Sequence, residues 1–220
     1  SKILKNAEKA LGGSRAFQTA VSWSEIGTVT RVSDGASGRF FSQTSRPNLY
    51  NIEFELNGFE VETGYNGRSG WVRDSRDGLK TLTGDASVDF QAEAAYRNSL
   101  WLNYKNEKSK IVVGGKGEVG GKPANILILN TSKGVTIKLF FDAVTNLPLR
   151  EEFSSGDVKK TLDYSDYRLV KGLNRPYAIR LQIDGESFDI KLSDVKANQP
   201  IAKSEFDFPQ ISGEPLPEIQ

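Results

Sequence analysis

Asn51-Ile52-Glu53-Phe54-Glu55-Leu56-Asn57-Gly58-Phe59-Glu60-Val61-Glu62 decides the fold. Ile52, Phe54 and Leu56 alternate with Asn51, Glu53 and Glu55, and Phe59 and Val61 alternate with Glu60 and Glu62. A period of two places one residue type on each face of a β-strand. Asn-Gly between such runs predicts a two-residue hairpin, because a type I′ turn needs positive φ at both central positions. The hairpin sets Leu56 opposite Phe59 and Phe54 opposite Val61, so both strands bury the same face.

The same punctuation recurs at Asp34-Gly35, Asn66-Gly67 and Asp184-Gly185. Strands are expected at about 20–33, 37–46, 48–56, 59–65 and 69–73, with a weaker one at 79–82. They resume at about 110–119, 124–130, 134–141, 148–154, 157–166 and, as a hairpin, 176–194. In that last hairpin a turn at Gly185-Glu186 is preferred, pairing Ile183 with Phe188 and Leu181 with Ile190. The total is about eleven strands, and an open twisted sheet of more than about ten curls or splits.

Two segments change period. Ile3, Leu4, Ala7, Ala10 and Leu11 recur at helical spacing before Gly12-Gly13, a C-terminal stop. In 85–104, Phe90, Ala94, Trp101 and Tyr104 share a helical stripe, with Asp85 as the expected N-cap. The tail from 195 to 220 carries Pro200, Pro209, Pro215 and Pro217 and is expected to pack as coil through Phe206 and Phe208.

The 220 residues include 29 Lys and Arg against 28 Asp and Glu, with 37% hydrophobic residues. That is material for one globular domain, residues 1–220, with no long-range field for nucleic acid. Cysteine and histidine are absent. Disulfides, thiolate chemistry, His-based triads and His-ligated zinc are therefore excluded. The longest strongly apolar run, Ile126–Leu129, is too short to cross a bilayer as a helix. A secretory leader is expected to have been removed.

The motifs that could carry chemistry read as structure. Gly115-Lys116-Gly117-Glu118-Val119-Gly120 matches the dinucleotide GxGxxG pattern. Pro123 and the β-rich Ile126–Leu129 follow it, so no helix N-terminus is expected to hold a pyrophosphate. A hairpin turn at Gly120-Gly121 is the better reading. Glu55 opposite Glu60, and Glu53 opposite Glu62, put like charges across a strand pair, which destabilises a sheet. Arg39, Arg46, Arg68 and Arg73 on flanking strands are the expected compensation on a solvated face. A carboxylate-based hydrolase would need two carboxylates in unequal environments, and these exposed positions give no such asymmetry. No catalytic residue, metal ligand or cofactor is expected.

A resemblance appears in the second half. Leu139-Phe140-Phe141-Asp142-Ala143-Val144-Thr145-Asn146-Leu147-Pro148-Leu149-Arg150 resembles the FDxxTxLPLR hairpin of periplasmic outer-membrane lipoprotein carriers, the LolA-like and LolB-like family. Asp166-Tyr167-Arg168, Gly172-Leu173 and Pro176-Tyr177 are similar to that family's DYRxVxGLxxPY segment. Asn198-Gln199-Pro200-Ile201 and Phe206-Asp207-Phe208-Pro209 are similar to its closing segment. The resemblance covers about 95–210. It implies an unclosed β-barrel whose open side is covered by helices, with an apolar cavity that holds lipoprotein acyl chains in the periplasm or cell envelope. It also implies a cavity arginine that latches the cover, for which Arg39 and Arg46 are nearest by position.

The physical reading agrees with that implication. A strongly curved antiparallel sheet of this size, an open half-barrel, encloses more space than its own side chains fill. Helix 85–104 is the expected lid, with Phe90, Leu100 and Trp101 on its cavity side. Phe54, Leu56, Phe59, Val61, Ile137 and Leu139 are the expected floor. The expected ligand is a lipid or lipoprotein acyl chain, handed between membrane-bound donor and acceptor proteins. The alternative is a sensory or structural module of the same mainly-β fold that recognises a protein through its sheet edge or outer face, without lipid transport.

Overall fold

The computed structural model describes residues 1–155 and 158–209, so Pro215 and Pro217 of the expected tail lie outside the described residues. Two helices open the chain, α1 (Lys2–Leu11) and α2 (Ser14–Thr19). Six strands follow: β1 (Ser22–Arg31), β2 (Ser37–Ser45), β3 (Leu49–Leu56), β4 (Phe59–Tyr65), β5 (Gly70–Asp74) and β6 (Gly78–Thr81). Helix α3 (Gly84–Ser99) separates them from β7 (Lys110–Val119), β8 (Lys122–Asn130), β9 (Thr136–Asp142) and β10 (Pro148–Ser155). Then come β11 (Val158–Val170), β12 (Leu173–Ile183), β13 (Glu186–Ala197) and a short 3-10 turn, Lys203–Phe206.

All thirteen strands form one open sheet in the order β6-β5-β4-β3-β2-β1-β13-β12-β11-β10-β9-β8-β7, antiparallel throughout. The expected count of about eleven is therefore too low. The weak segment near 79–82 pairs with β5 as a true edge, and the 176–194 hairpin supplies two full strands. The two halves of the meander meet where β1 pairs with β13.

The deciding hairpin has the expected register, with Leu56 opposite Phe59, Phe54 opposite Val61, and Glu53 opposite Glu62. Asn57 and Gly58 take φ of 51° and 80°, as a type I′ turn requires. Two of the four expected arginines answer the carboxylates. Arg39 Nη2 lies 2.6 Å from Glu53 Oε1, and Arg73 Nη2 lies 2.8 Å from Glu62 Oε2. Arg46 instead donates to the Phe17 carbonyl at 2.7 Å. Gly120 and Gly121 form the β7–β8 turn, and no helix follows the GxGxxG match.

The last hairpin differs from expectation. Ile183 pairs with Glu186, Leu181 with Phe188 and Ile179 with Ile190, around a turn at Asp184-Gly185 with φ of 50° and 78°. The one mixed pair falls at the strand ends, where Arg31 Nη1 stands 3.9 Å from Glu186 Oε2. On the opposite face the same register sets Arg180 across from Asp189, with Nε–Oδ1 at 2.7 Å. Turn chemistry and this ion pair outweigh one exposed mismatch.

Helix α3 is shorter than 85–104. It ends at Ser99 because Leu100 turns to φ 51°, and Thr83 rather than Asp85 is its N-cap. Trp101 to Lys108 are turns. Helix α2 was not anticipated. Its six residues are too few to show a helical period, and none of them is fully buried. The C-terminal segment lies on the outer face of β3–β5. Trp71 Nε1 donates to the Phe206 carbonyl at 3.0 Å, and Phe208 sits 6.3 Å from the Trp71 ring.

Candidate ligand cavity

The backbone of α3 lies against β2–β5. Its small residues allow the close approach, with Ala94 packed on Tyr50 and Tyr65. Between this helix and the inner residues of β1–β4 and β10–β13 is a cavity of about 700 Å³. That is within the usual range for small-molecule sites, roughly 300–1,000 Å³. Strand register orders its walls. Leu56, Phe59, Ile183 and Phe188 stand near the hairpin turns, Phe40, Phe54, Leu181 and Ile190 below them, and Trp23, Tyr50 and Leu173 toward the opposite strand ends. Leu11 of α1 and Phe17 of α2 close that far end. Aromatic contacts fix the wall, Phe40 edge-on to Phe54 at 5.4 Å and Tyr50 stacked on Phe90 at 5.3 Å.

Phe54, Leu56, Phe59, Val61, Phe90, Leu100 and Trp101 all line this space. Ile137 and Leu139 do not. They are 0% and 1% exposed in a filled core with Leu127, Tyr96, Trp101 and α1. The expectation failed because β9 lies in the half of the sheet that α1 and the turn after α3 plug completely. Trp101 stands at the boundary, lining the cavity while packing edge-on against Phe141 at 4.9 Å.

The sequence reading missed a belt of charges across the cavity wall. Arg97 of α3 donates to Glu151 Oε2 of β10 at 2.9 Å and to the Tyr164 hydroxyl of β11 at 3.1 Å. Glu151 also accepts from the Tyr96 and Tyr164 hydroxyls, each at 2.6 Å. One turn earlier, Glu93 accepts from Lys160 of β11 at 2.5 Å and lies 3.4 Å from Arg97 Nε. On the facing wall Arg175 donates to Glu25 at 2.6 Å and covers the Trp23 ring at 4.5 Å. Parity held the signal. Glu151 shares the inner face with Phe153, and Lys160 and Tyr164 share it with Leu162, so charges interrupt the apolar face.

Burial works against the Glu93 carboxylate, but Lys160 and Arg97 overcome it and hold its pKa below the ordinary value. Burial also opposes the Arg97 charge, and Tyr164, Glu151 and Glu93 more than restore it, so the guanidinium is held still more firmly protonated. Burial pushes the Tyr96, Tyr164 and Tyr167 hydroxyls well up, with Glu151 adding to the push. Each shift moves a titration further from neutral pH, so Glu93 and Arg97 stay charged and the three tyrosines keep their protons. Among the described residues no group of three or more Asp and Glu is placed to hold a metal ion.

No protein-family model and no curated protein matches this sequence. Solved structures do. A DUF1329 family protein from Desulfovibrio piger superposes with a TM-score of 0.61 at 15% identity, over 94% of this chain and 96% of that one. A domain assigned to outer membrane lipoprotein sorting in Vibrio parahaemolyticus gives 0.59 at 11% identity, over 94% and 95%. A LolA superfamily protein from Nitrosomonas europaea gives 0.57 at 17% identity, over 94% and 96%. Over nearly the full length of each, this chain therefore shares its fold with these three structures, one of them a LolA superfamily protein.

Proposed function

We propose that this chain is a non-catalytic carrier of lipid or lipoprotein acyl chains, working as one domain in the periplasm or cell envelope, with α3 as the cover of an open half-barrel. The observation that carries the reading is the apolar cavity of about 700 Å³ beneath α3. At about 30 Å³ per water-sized group, it has room for roughly twenty methylenes. A sixteen-carbon chain gains roughly 13 kcal/mol from burial at about 0.8 kcal/mol per methylene. Several kcal/mol of ordering and association cost offset this, which leaves micromolar-range binding with no reacting group. The fold it shares with a lipoprotein-sorting domain supports the same reading. Membrane-bound donor and acceptor proteins would complete the route.

The test is displacement of a fluorescent long-chain fatty acid by palmitate. Ile52→Trp on β3 and Ile179→Trp on β12, both placed to fill the space, are expected to weaken binding at least tenfold while preserving the fold. An intact protein that takes up no acyl probe refutes the proposal.

A further inference from the structure

The first two helices present two faces. Leu4, Ala7 and Leu11 of α1 are buried in the core, and Leu11 and Phe17 reach the cavity. The opposite face of α1 carries Lys2, Lys5 and Lys9, all exposed and spaced so that they share one stripe. Arg15 is exposed on α2. The β11–β12 turn joins the same surface. Asn174 Nδ2 donates to the Ala10 carbonyl at 2.8 Å, and a Cβ on Gly12 would stand 2.1 Å from the Gly172 carbonyl oxygen. That turn adds exposed Lys171 and also Leu169, which is 71% exposed. Leu169 pairs across the hairpin with Asn174 and so shares the face on which α1 lies.

Positive charge predominates here. None of Lys2, Lys5, Lys9, Arg15 or Lys171 forms an ion pair among the described residues. Asp166 is paired with Arg168, and Glu8, bonded only to the Ser14 hydroxyl, keeps its negative charge, which leaves a net charge of about +4 on the surface. Across the whole chain the charges nearly cancel at +1, so the five cations, offset only by Glu8, are a local excess. The first turn of α1 carries no acid, although the helix dipole favours one there. A helix that breaks this rule in favour of lysines, beside a fully presented leucine, gives stability away to a surface role.

We propose that the outer faces of α1 and α2, with Leu169 at the β11–β12 turn, form a docking surface for an anionic phospholipid bilayer. Lysines reach lipid phosphates while their stems lie on the headgroup layer, and Leu169 enters the boundary below it. The pairing of net positive charge with an exposed leucine fits a bilayer better than an acidic polymer, which offers nothing apolar. Because Leu11 and Phe17 are cavity wall, docking would bring one end of the cavity against the membrane. The proposal goes beyond the carrier reading and does not depend on it, since vesicle binding and acyl displacement are measured separately.

The experiment is co-sedimentation of the full chain with vesicles of phosphatidylcholine alone and of equimolar phosphatidylcholine and phosphatidylglycerol. Binding is expected only to the anionic vesicles, falling as ionic strength rises to about 0.15 M, where charges are screened beyond about 8 Å. Each cation removed is expected to cost about fivefold in partitioning, so Lys2→Gln/Lys5→Gln/Lys9→Gln should lose about a hundredfold. Leu169→Ser should lose about tenfold without changing the salt dependence. Lys116→Gln, an exposed lysine on β7, is the control and should bind as the parent does. Retained acyl displacement and an unchanged circular dichroism spectrum show that the variants are folded. Equal binding to both vesicles, no binding, a Lys116→Gln loss equal to that of the triple variant, or indifference to Leu169→Ser overturns the proposal.

Discussion

Replacing Glu151 by alanine probes what holds α3 to the far wall of the cavity. The Glu151 side chain is 4% exposed and accepts from Arg97, Tyr96 and Tyr164. Two of those donors belong to α3 and one to β11. Glu151→Ala leaves Arg97 with Glu93 at 3.4 Å and leaves two buried hydroxyls without their acceptor. Removing one partner of a buried pair costs about 3–5 kcal/mol. The adjoining cavity can admit water to the stranded donors, so about 4 kcal/mol is expected, within that range. Arg97→Met should cost about half as much. Glu151 then keeps both tyrosine donors, and Glu93 keeps Lys160. Together the two substitutions should fall short of their sum by about 1–2 kcal/mol, because each removes the same contact. Urea unfolding followed by circular dichroism measures all three. For a chain of this size about 4 kcal/mol is a fall in Tm of roughly 8–16 °C. Equal costs for Glu151→Ala and Arg97→Met, or strict additivity, would refute the network as drawn.

Two further outcomes follow from local geometry and from burial. A Cβ on Gly64 would stand 2.3 Å from the Trp71 ring, which is wholly buried under the C-terminal segment, so Gly64→Ala should cost about 2–3 kcal/mol and shift the tryptophan emission. Stability unchanged by Gly64→Ala would contradict that packing. Stability should also fall above about pH 10, where unfolded tyrosines ionise but Tyr96, Tyr164 and Tyr167, raised by burial, keep their protons. The unfolded chain then binds fewer protons than the folded one, so each buried tyrosine contributes a loss of about 1.4 kcal/mol per pH unit. Tyr167→Phe should flatten the slope, and a folded protein whose tyrosinate absorbance near pH 10 matches the ionisation of all seven tyrosines would show the shift to be absent.

The period of two carried most of the fold. Wherever one face meets an apolar interior and the other meets water, alternation is enforced residue by residue, so β3 and β4 were readable to the pair. Where that contrast fades, reading failed. β6 is four exposed or half-buried residues, so it counted as weak. The Asp184-Gly185 turn was displaced because Glu186 opposite Ile183 looked like an error of face, when that pair lies at strand ends where neither face is closed. Ile137 and Leu139 have the parity of cavity residues. No local pattern distinguishes a strand under a filled core from a strand under a hollow. That depends on α1 and the 101–108 turn, which arrive from elsewhere in the chain.

The charge belt was the least legible part of the site and bears most directly on why the space exists. Helix α3 rests its small residues on β2–β5 and reaches β10 and β11 through polar side chains, Asp89 in its first half bonded to the Ser155 hydroxyl, then Glu93, Tyr96 and Arg97. Apolar residues in those places would gain by drawing the helix down until the hollow closed. Ion pairs do not reward collapse in that way. Their best geometry is reached at a fixed length, and further desolvation of Glu93 and Arg97 opposes shrinking the space around them. The belt thus favours a fixed spacing between α3 and β10–β11, while Phe40, Phe54 and Phe188 keep the remaining cavity surface apolar. The thirteen-strand sheet supplies the walls of the cavity, and the paired charges join α3 to two of its strands.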